Sequence, residues 1–163
     1  MRPFWVADSS IWFDLEAGGI LGVALQLEAQ WACPDVLLPE LRENPEGRAL
    51  EGLGVEVCEL PGTDVAQVFE LAASNPRPSR VDLFALVLAR SRQGILLTGD
   101  SDLRRLAESL GVEVHGIFWI LDQLAGSRIT NAEAASALDQ IVARGSRLPA
   151  NEVRERLARW RSE

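Results

Sequence analysis

Ile95-Leu96-Leu97-Thr98-Gly99-Asp100-Ser101-Asp102 runs from an apolar stretch through a glycine into two acids. An apolar run this short, bounded by turn residues, reads as a buried strand. The acids that follow suit the turn and the first turn of a helix from about 102 to 110, which Gly111 stops. The same step occurs at the start of the chain. Phe4 to Ala7 reads as a buried strand, Asp8-Ser9-Ser10 offers helix N-caps, and Ile11, Trp12 and Leu15 share one helical face. Short apolar strands handing over to amphipathic helices predict an α/β protein with a mainly parallel sheet.

Outward from these two steps, Gly18-Gly19 breaks the first helix, and Ile20 to Gln30 reads as a second. Val36-Leu37-Leu38 is strand-like, and Pro39 suits a first helical turn with Glu40 immediately after it. Val55 to Leu60 alternates with period two and closes at Pro61-Gly62, which predicts a half-exposed strand. Thr63 to Ser74 is helical in pattern, and Asn75-Pro76-Arg77-Pro78 is a loop. Ser79 caps an apolar helix from about Arg80 to Ser91, ended by Gly94. Val112-Glu113-Val114 is a last short strand, and helices follow over 117–125, 130–143 and 150–161, the second opened by the capping box Thr130-Asn131-Ala132-Glu133. Val153, Leu157 and Trp160 form a stripe on the last helix, which fits packing on the parent domain or contact with a partner.

The chain has 163 residues and a net charge of −8. Residues 1–60 hold three Arg against eleven acids (−8), residues 61–125 six against eight (−2), and residues 126–163 seven against five (+2). All sixteen basic residues are Arg. Such acidity argues against default polyanion binding, which rests on basic side chains meeting phosphates. Cys33 and Cys58 stand alone, in no CxxC pair, and read as reduced thiols. Asp8 interrupts the N-terminus too early for a signal-peptide core, and no apolar run approaches the ~20 residues of a membrane span. The expectation is a cytoplasmic protein without a membrane segment.

Asp8, Glu40 and Asp100 each fall where a strand hands over to a helix, and Asp82 lies in the first turn of the Ser79 helix. Ligand sites of open α/β sheets form at the carboxyl ends of strands. Converging carboxylates are costly: two charges about 6 Å apart repel by roughly 3 kcal/mol at an effective dielectric near 20. Such a cluster holds protons or binds a cation, and oxygen-only ligands suit Mg²⁺ or Mn²⁺.

At these residues the chain resembles the PIN-domain family, and within it toxin-type proteins similar to VapC. Val6-Ala7-Asp8-Ser9-Ser10, Leu38-Pro39-Glu40-Leu41, the helix Asp82-Leu83-Phe84-Ala85-Leu86-Val87-Leu88-Ala89 and Leu97-Thr98-Gly99-Asp100-Ser101-Asp102-Leu103 resemble its four motifs in order. Leu83 and Leu103 depart from the family's usual residues without removing an acid. The resemblance implies a three-layer α/β/α fold with a central, mainly parallel sheet. It also implies a single domain over 1–163, with a core of 4–125 and a helical extension over 129–161. By the family's pattern Asp8, Glu40, Asp82 and Asp100 are catalytic and bind Mg²⁺ or Mn²⁺, Asp102 assists as a further ligand, and Ser9 or Thr98 hydrogen-bonds the cluster. The implied activity is a metal-dependent ribonuclease, the toxin of a toxin–antitoxin pair, with RNA as substrate, an antitoxin protein as partner and a homodimeric state. Bound metal and rim arginines would reconcile an acidic chain with a phosphate substrate.

Blander readings stand beside these. Asp82 completes a near capping box with Ser79, Asp100 and Asp102 suit a turn and an N-cap, and Glu40 is a first-turn helix acid. His115 is the only histidine, which argues against a His-based zinc site or a His-centred catalytic triad, and it reads as the end of a strand rather than a catalytic group. Trp5, Trp12, Phe13, Trp31, Phe84 and Trp119 read as core. The arginines from Arg144 onward read as a solvated face, with RNA or an acidic partner segment as the alternative. A receiver domain or a haloacid-dehalogenase-type phosphatase needs a lysine this chain lacks, and no glycine-rich phosphate loop is present. A non-catalytic PIN-like scaffold and a housekeeping RNA-processing nuclease remain as rivals.

Overall fold

The computed structural model describes residues 2–43 and 50–162. Along the chain lie β1 (Phe4–Ala7), α1 (Ser9–Ala17), α2 (Leu21–Ala24), β2 (Gln30–Pro34), α3 (Leu38–Glu43), β3 (Glu56–Cys58), α4 (Gly62–Ser74) and α5 (Arg80–Ser91). They are followed by β4 (Ile95–Leu97), α6 (Ser101–Ser109), β5 (Glu113–His115), α7 (Ile117–Leu124), α8 (Asn131–Ala143) and α9 (Ala150–Arg161). The strands form one sheet in the order β3-β2-β1-β4-β5, and every neighbouring pair is parallel. A parallel sheet must be covered on both faces, which is why its strands are apolar runs rather than alternating ones.

Alternation along each strand sends side chains to two separate cores. Trp5, Ala7, Trp31, Cys33 and Leu97 point to one, where α1, α7 and α8 supply Ile11, Leu15, Ile120, Leu121, Leu138 and Ile141. Val6, Leu96 and Val114 point to the other, against Leu83, Leu86 and Val87 of α5, Val68 of α4 and Leu103 of α6. The result is the three-layer α/β/α arrangement expected from the sequence. Cys33 and Cys58 are not joined in a disulfide. Among the described residues no helix is long and apolar enough to cross a membrane.

The stretch between α1 and β3 departs from the sequence reading. Ile20 to Gln30 is not one helix: only Leu21–Ala24 is helical, and Gln30 already belongs to β2. Val36-Leu37-Leu38 is not a strand. Asp35–Leu37 is a 3₁₀ turn and Leu38 begins α3. Gln30–Pro34 takes the strand's place, paired with β1 in the register Trp5↔Trp31 and Val6↔Ala32. A short apolar run carries no periodicity that separates strand from helix, and the decision here was made by pairing with β1. Glu40 therefore lies in the first turn of α3, beyond a 3₁₀ turn, and not at the end of a strand.

The C-terminal helices are built into the first core. Ala134, Ala135, Ala137, Leu138 and Ile141 of α8 and Trp160 of α9 are buried in it, with Val153 and Leu157 packed against it. The α9 stripe thus packs on its own domain. Arg156 of α9 grips Asp122 of α7 through two bonds of 3.0 and 2.8 Å, and Arg161 pairs with Asp139 of α8. The capping boxes at Ser79–Asp82 and Thr130–Glu133 both form. Tryptophans tie the layer together: Trp5 meets Trp31 edge-on at 5.2 Å and Trp119 at 5.0 Å, and Trp12 meets Trp31 at 5.6 Å.

Candidate active site

Strand order reverses between β1 and β4: the chain runs outward from β1 to β2 and β3, then returns to the other side of β1 for β4 and β5. At such a point the loops leaving adjacent strands diverge and open a crevice at the carboxyl ends. Asp8 leaves β1 and Thr98-Gly99-Asp100 leaves β4, with the Asp8 amide donating to Leu97 O at 3.0 Å across the seam.

Asp8 is 2% exposed and held from several directions. Ser10 Oγ and the Ile11 amide donate to its Oδ1 at 2.5 and 3.2 Å, and the Thr98 hydroxyl donates to Oδ2. The two hydroxyls are themselves fixed, because Ser10 Oγ accepts from the Gly99 amide and Thr98 Oγ1 from the Asp100 amide, each at 3.0 Å. One network thus locks the β1 acid to the β4 loop. Burial pushes the Asp8 carboxyl up to about 6; Ser10 and Thr98 pull it back, and the charge of Asp82 adds to the rise.

Asp82 receives the Ser79 amide on Oδ2 at 3.2 Å, while its own amide donates to Ser79 Oγ at 3.1 Å. Burial raises its pKa as well, and the charge of Asp100 adds to the rise. Asp100 is the N-cap of α6, its Oδ1 accepting from the Asp102 and Leu103 amides at 2.8 and 3.0 Å. The capping roles read from the sequence are therefore real. Each capping carboxylate uses one oxygen for its cap. Asp8, Asp82 and Asp100 lie close enough for each to feel the next one's charge.

The remaining expected residues are placed differently. Asp102 is drawn to the surface side of α6, where Arg105 holds its Oδ1 at 2.5 Å and Arg77 approaches to 3.7 Å. Glu40 is exposed on α3, and no hydrogen bond or ion pair among the described residues links it to the other acids. Of the supporting residues Thr98 binds Asp8 as expected, but the serine that does so is Ser10 and not Ser9. The sequence held the signal, two hydroxyls after an N-cap acid. Which of them turns back toward Asp8 depends on the helix phase and on Gly99.

The donor set fits a hard divalent cation in its chemistry: three carboxylates, all oxygen, each raising or raised by a neighbour. As the side chains stand, no three acids, histidines or cysteines among the described residues converge closely enough to hold an ion.

A family model described as DUF3368, PIN domain, matches residues 4–162 of the chain. No curated protein is significantly similar to it.

Proposed function

The chain belongs to the PIN-domain family, a family of nucleases that typically use divalent metal, and from that premise we propose that it is a Mg²⁺- or Mn²⁺-dependent ribonuclease. The observation that carries this reading is the Asp8 carboxylate at the end of β1 where strand order reverses, locked by Ser10 and Thr98 and within reach of the charge of Asp82, which in turn feels Asp100. A structural scaffold gains nothing from burying Asp8 within reach of a second carboxylate's charge, because the repulsion opposes folding.

Asp8 would be the principal ligand, because Ser10 and Thr98 fix its carboxylate. Asp82 and Asp100 would complete the ligand set. Asp102 and Glu40 act further out, Asp102 through its contact with Arg105 and Arg77. When bound, the cation supplies charge neutralisation at the phosphodiester and an acidified water. Ser10 and Thr98 position Asp8 by holding both of its oxygens, so loss of either hydroxyl loosens the ligand without removing it. The resemblance to VapC-type proteins supports a toxin role with an antitoxin partner.

The test is cleavage of mixed single-stranded and structured RNAs in Mn²⁺ or in EDTA, by wild type and by Asp8→Asn. Cleavage that needs metal and disappears in Asp8→Asn is the expected result. No cleavage of any RNA, together with no calorimetric uptake of Mn²⁺, would sink the reading and leave a binding scaffold.

A further inference from the structure

A cleft opens beside Asp8, lined on that side by Gly99 and by Thr98, whose hydroxyl binds the Asp8 carboxylate. Its volume is about 500 Å³, and it is bounded by the loops after β4 and β5 and by the α8–α9 connection. Its charge is opposite to that of the crevice. The two acids in it, Asp122 and Glu152, are already answered by Arg156, with Arg159 also on Asp122. Arg104 and Arg147 also line it, and neither has an ion pair among the described residues. Arg104 lies over the β5–α7 turn, its Nη2 3.1 Å from where a Cβ on Gly116 would sit, so the guanidinium packs closely on that glycine. Arg147 comes from the C-terminal side, so the α8–α9 connection completes the cleft.

The same cleft has a flat wall. His115 and Trp119 stack at 4.0 Å with 7° between their planes, and Trp119 is backed in turn by Trp5 at 5.0 Å. The His115 side chain is 30% exposed. A rigid ring pair beside two uncompensated guanidinium groups is what a nucleotide requires, a π surface for the base and cations for the phosphate.

We infer that this cleft is a nucleotide subsite, which takes the ribonucleotide next to the scissile bond, its phosphate on Arg104 and Arg147 and its base against the His115–Trp119 pair. The inference rests on the ribonuclease reading. Because Thr98 Oγ1 touches Asp8 and Thr98 also lines the cleft, one RNA strand can place a phosphodiester at the acids and its neighbour here. The subsite also explains how a chain of net charge −8 grips a polyanion: local arginines beside the crevice do it, not the overall field.

The test is anisotropy of a fluorescein-labelled single-stranded octaribonucleotide in EDTA, where binding is read without cleavage. Arg104→Gln/Arg147→Gln should weaken binding about ten- to a hundredfold at low salt and flatten the plot of log affinity against log salt by about 1.4. Arg154→Gln, on α9 outside the cleft, should change neither. His115→Ala should lose roughly five- to 150-fold, His115→Phe should regain most of it, and an oligonucleotide abasic at every position should be insensitive to both. Equal weakening by Arg154→Gln, an unchanged salt slope in the double variant, or binding of a deca-glutamate peptide in place of RNA would overturn the subsite. Cleavage that persists with these binding results absent sinks the subsite alone. Binding as described without any metal-dependent cleavage sinks the nuclease reading and leaves an RNA-binding cleft.

Discussion

Asp8 shows how much a single position carries. A carboxylate buried at a strand end is expensive, and here two hydroxyls and an amide hold it while burial and Asp82 push its proton affinity up. Asp14 has the same imbalance away from the site. It is 9% exposed in α1, accepts from Ser146 Oγ at 3.2 Å, and burial pushes its carboxyl up to about 6 while Ser146 pulls back. Between the unfolded value of 3.8 and about 6 the folded chain holds a proton that the unfolded chain has released. Stability therefore falls as pH climbs through that window and is flat above it. Asp14→Asn keeps an acceptor for Ser146 and removes the charge. In urea unfolding with EDTA in both samples, we expect the two proteins to coincide near pH 4, with the variant about 1–2 kcal/mol more stable above pH 7. A difference that does not change with pH would mean that Asp14 titrates as an ordinary carboxylate.

Elements decide where these residues stand. Asp8, Asp82 and Asp100 were legible because each sits at a local signal, a strand end or a helix start, that needs no knowledge of the rest of the chain. Glu40 was placed at a strand end only because Val36-Leu37-Leu38 looked like a strand, and pairing with β1 moved the strand back to Gln30–Pro34. Close packing makes a further demand at the approach to β4. A Cβ on Gly94 would lie 2.4 Å from the Phe4 carbonyl oxygen, so backbone at the start of β1 or of β4 must give way. Gly94→Ala should cost about 2–3 kcal/mol in chemical denaturation, from overpacking against backbone and not from its own conformation. Wild-type stability in that variant would show that the β1–β4 seam yields freely.

At the scale of the whole molecule, the C-terminal helices are part of the main core. Trp160 is 4% exposed, in the same core as Trp5 and Trp31. Trp160→Ala should cost about 3–5 kcal/mol and lower the midpoint of one shared transition seen by both circular dichroism and tryptophan fluorescence. Two separate transitions would make α9 an independent strap. Local signals were enough for the class of fold, the order of most elements and the strand-end or helix-start positions of Asp8, Asp82 and Asp100. Strand–turn–helix steps, capping residues and glycine stops act within a few residues, and a reader of the sequence meets them one at a time. Tertiary structure alone decided which apolar run became β2, which serine turned to Asp8, and that Asp102 is held by arginines at the surface. It also joined the α8–α9 connection to the loops after β4 and β5 in one cleft. Those outcomes depend on strand pairing and on residues far apart in the chain competing for the same space, and such competition leaves no local mark.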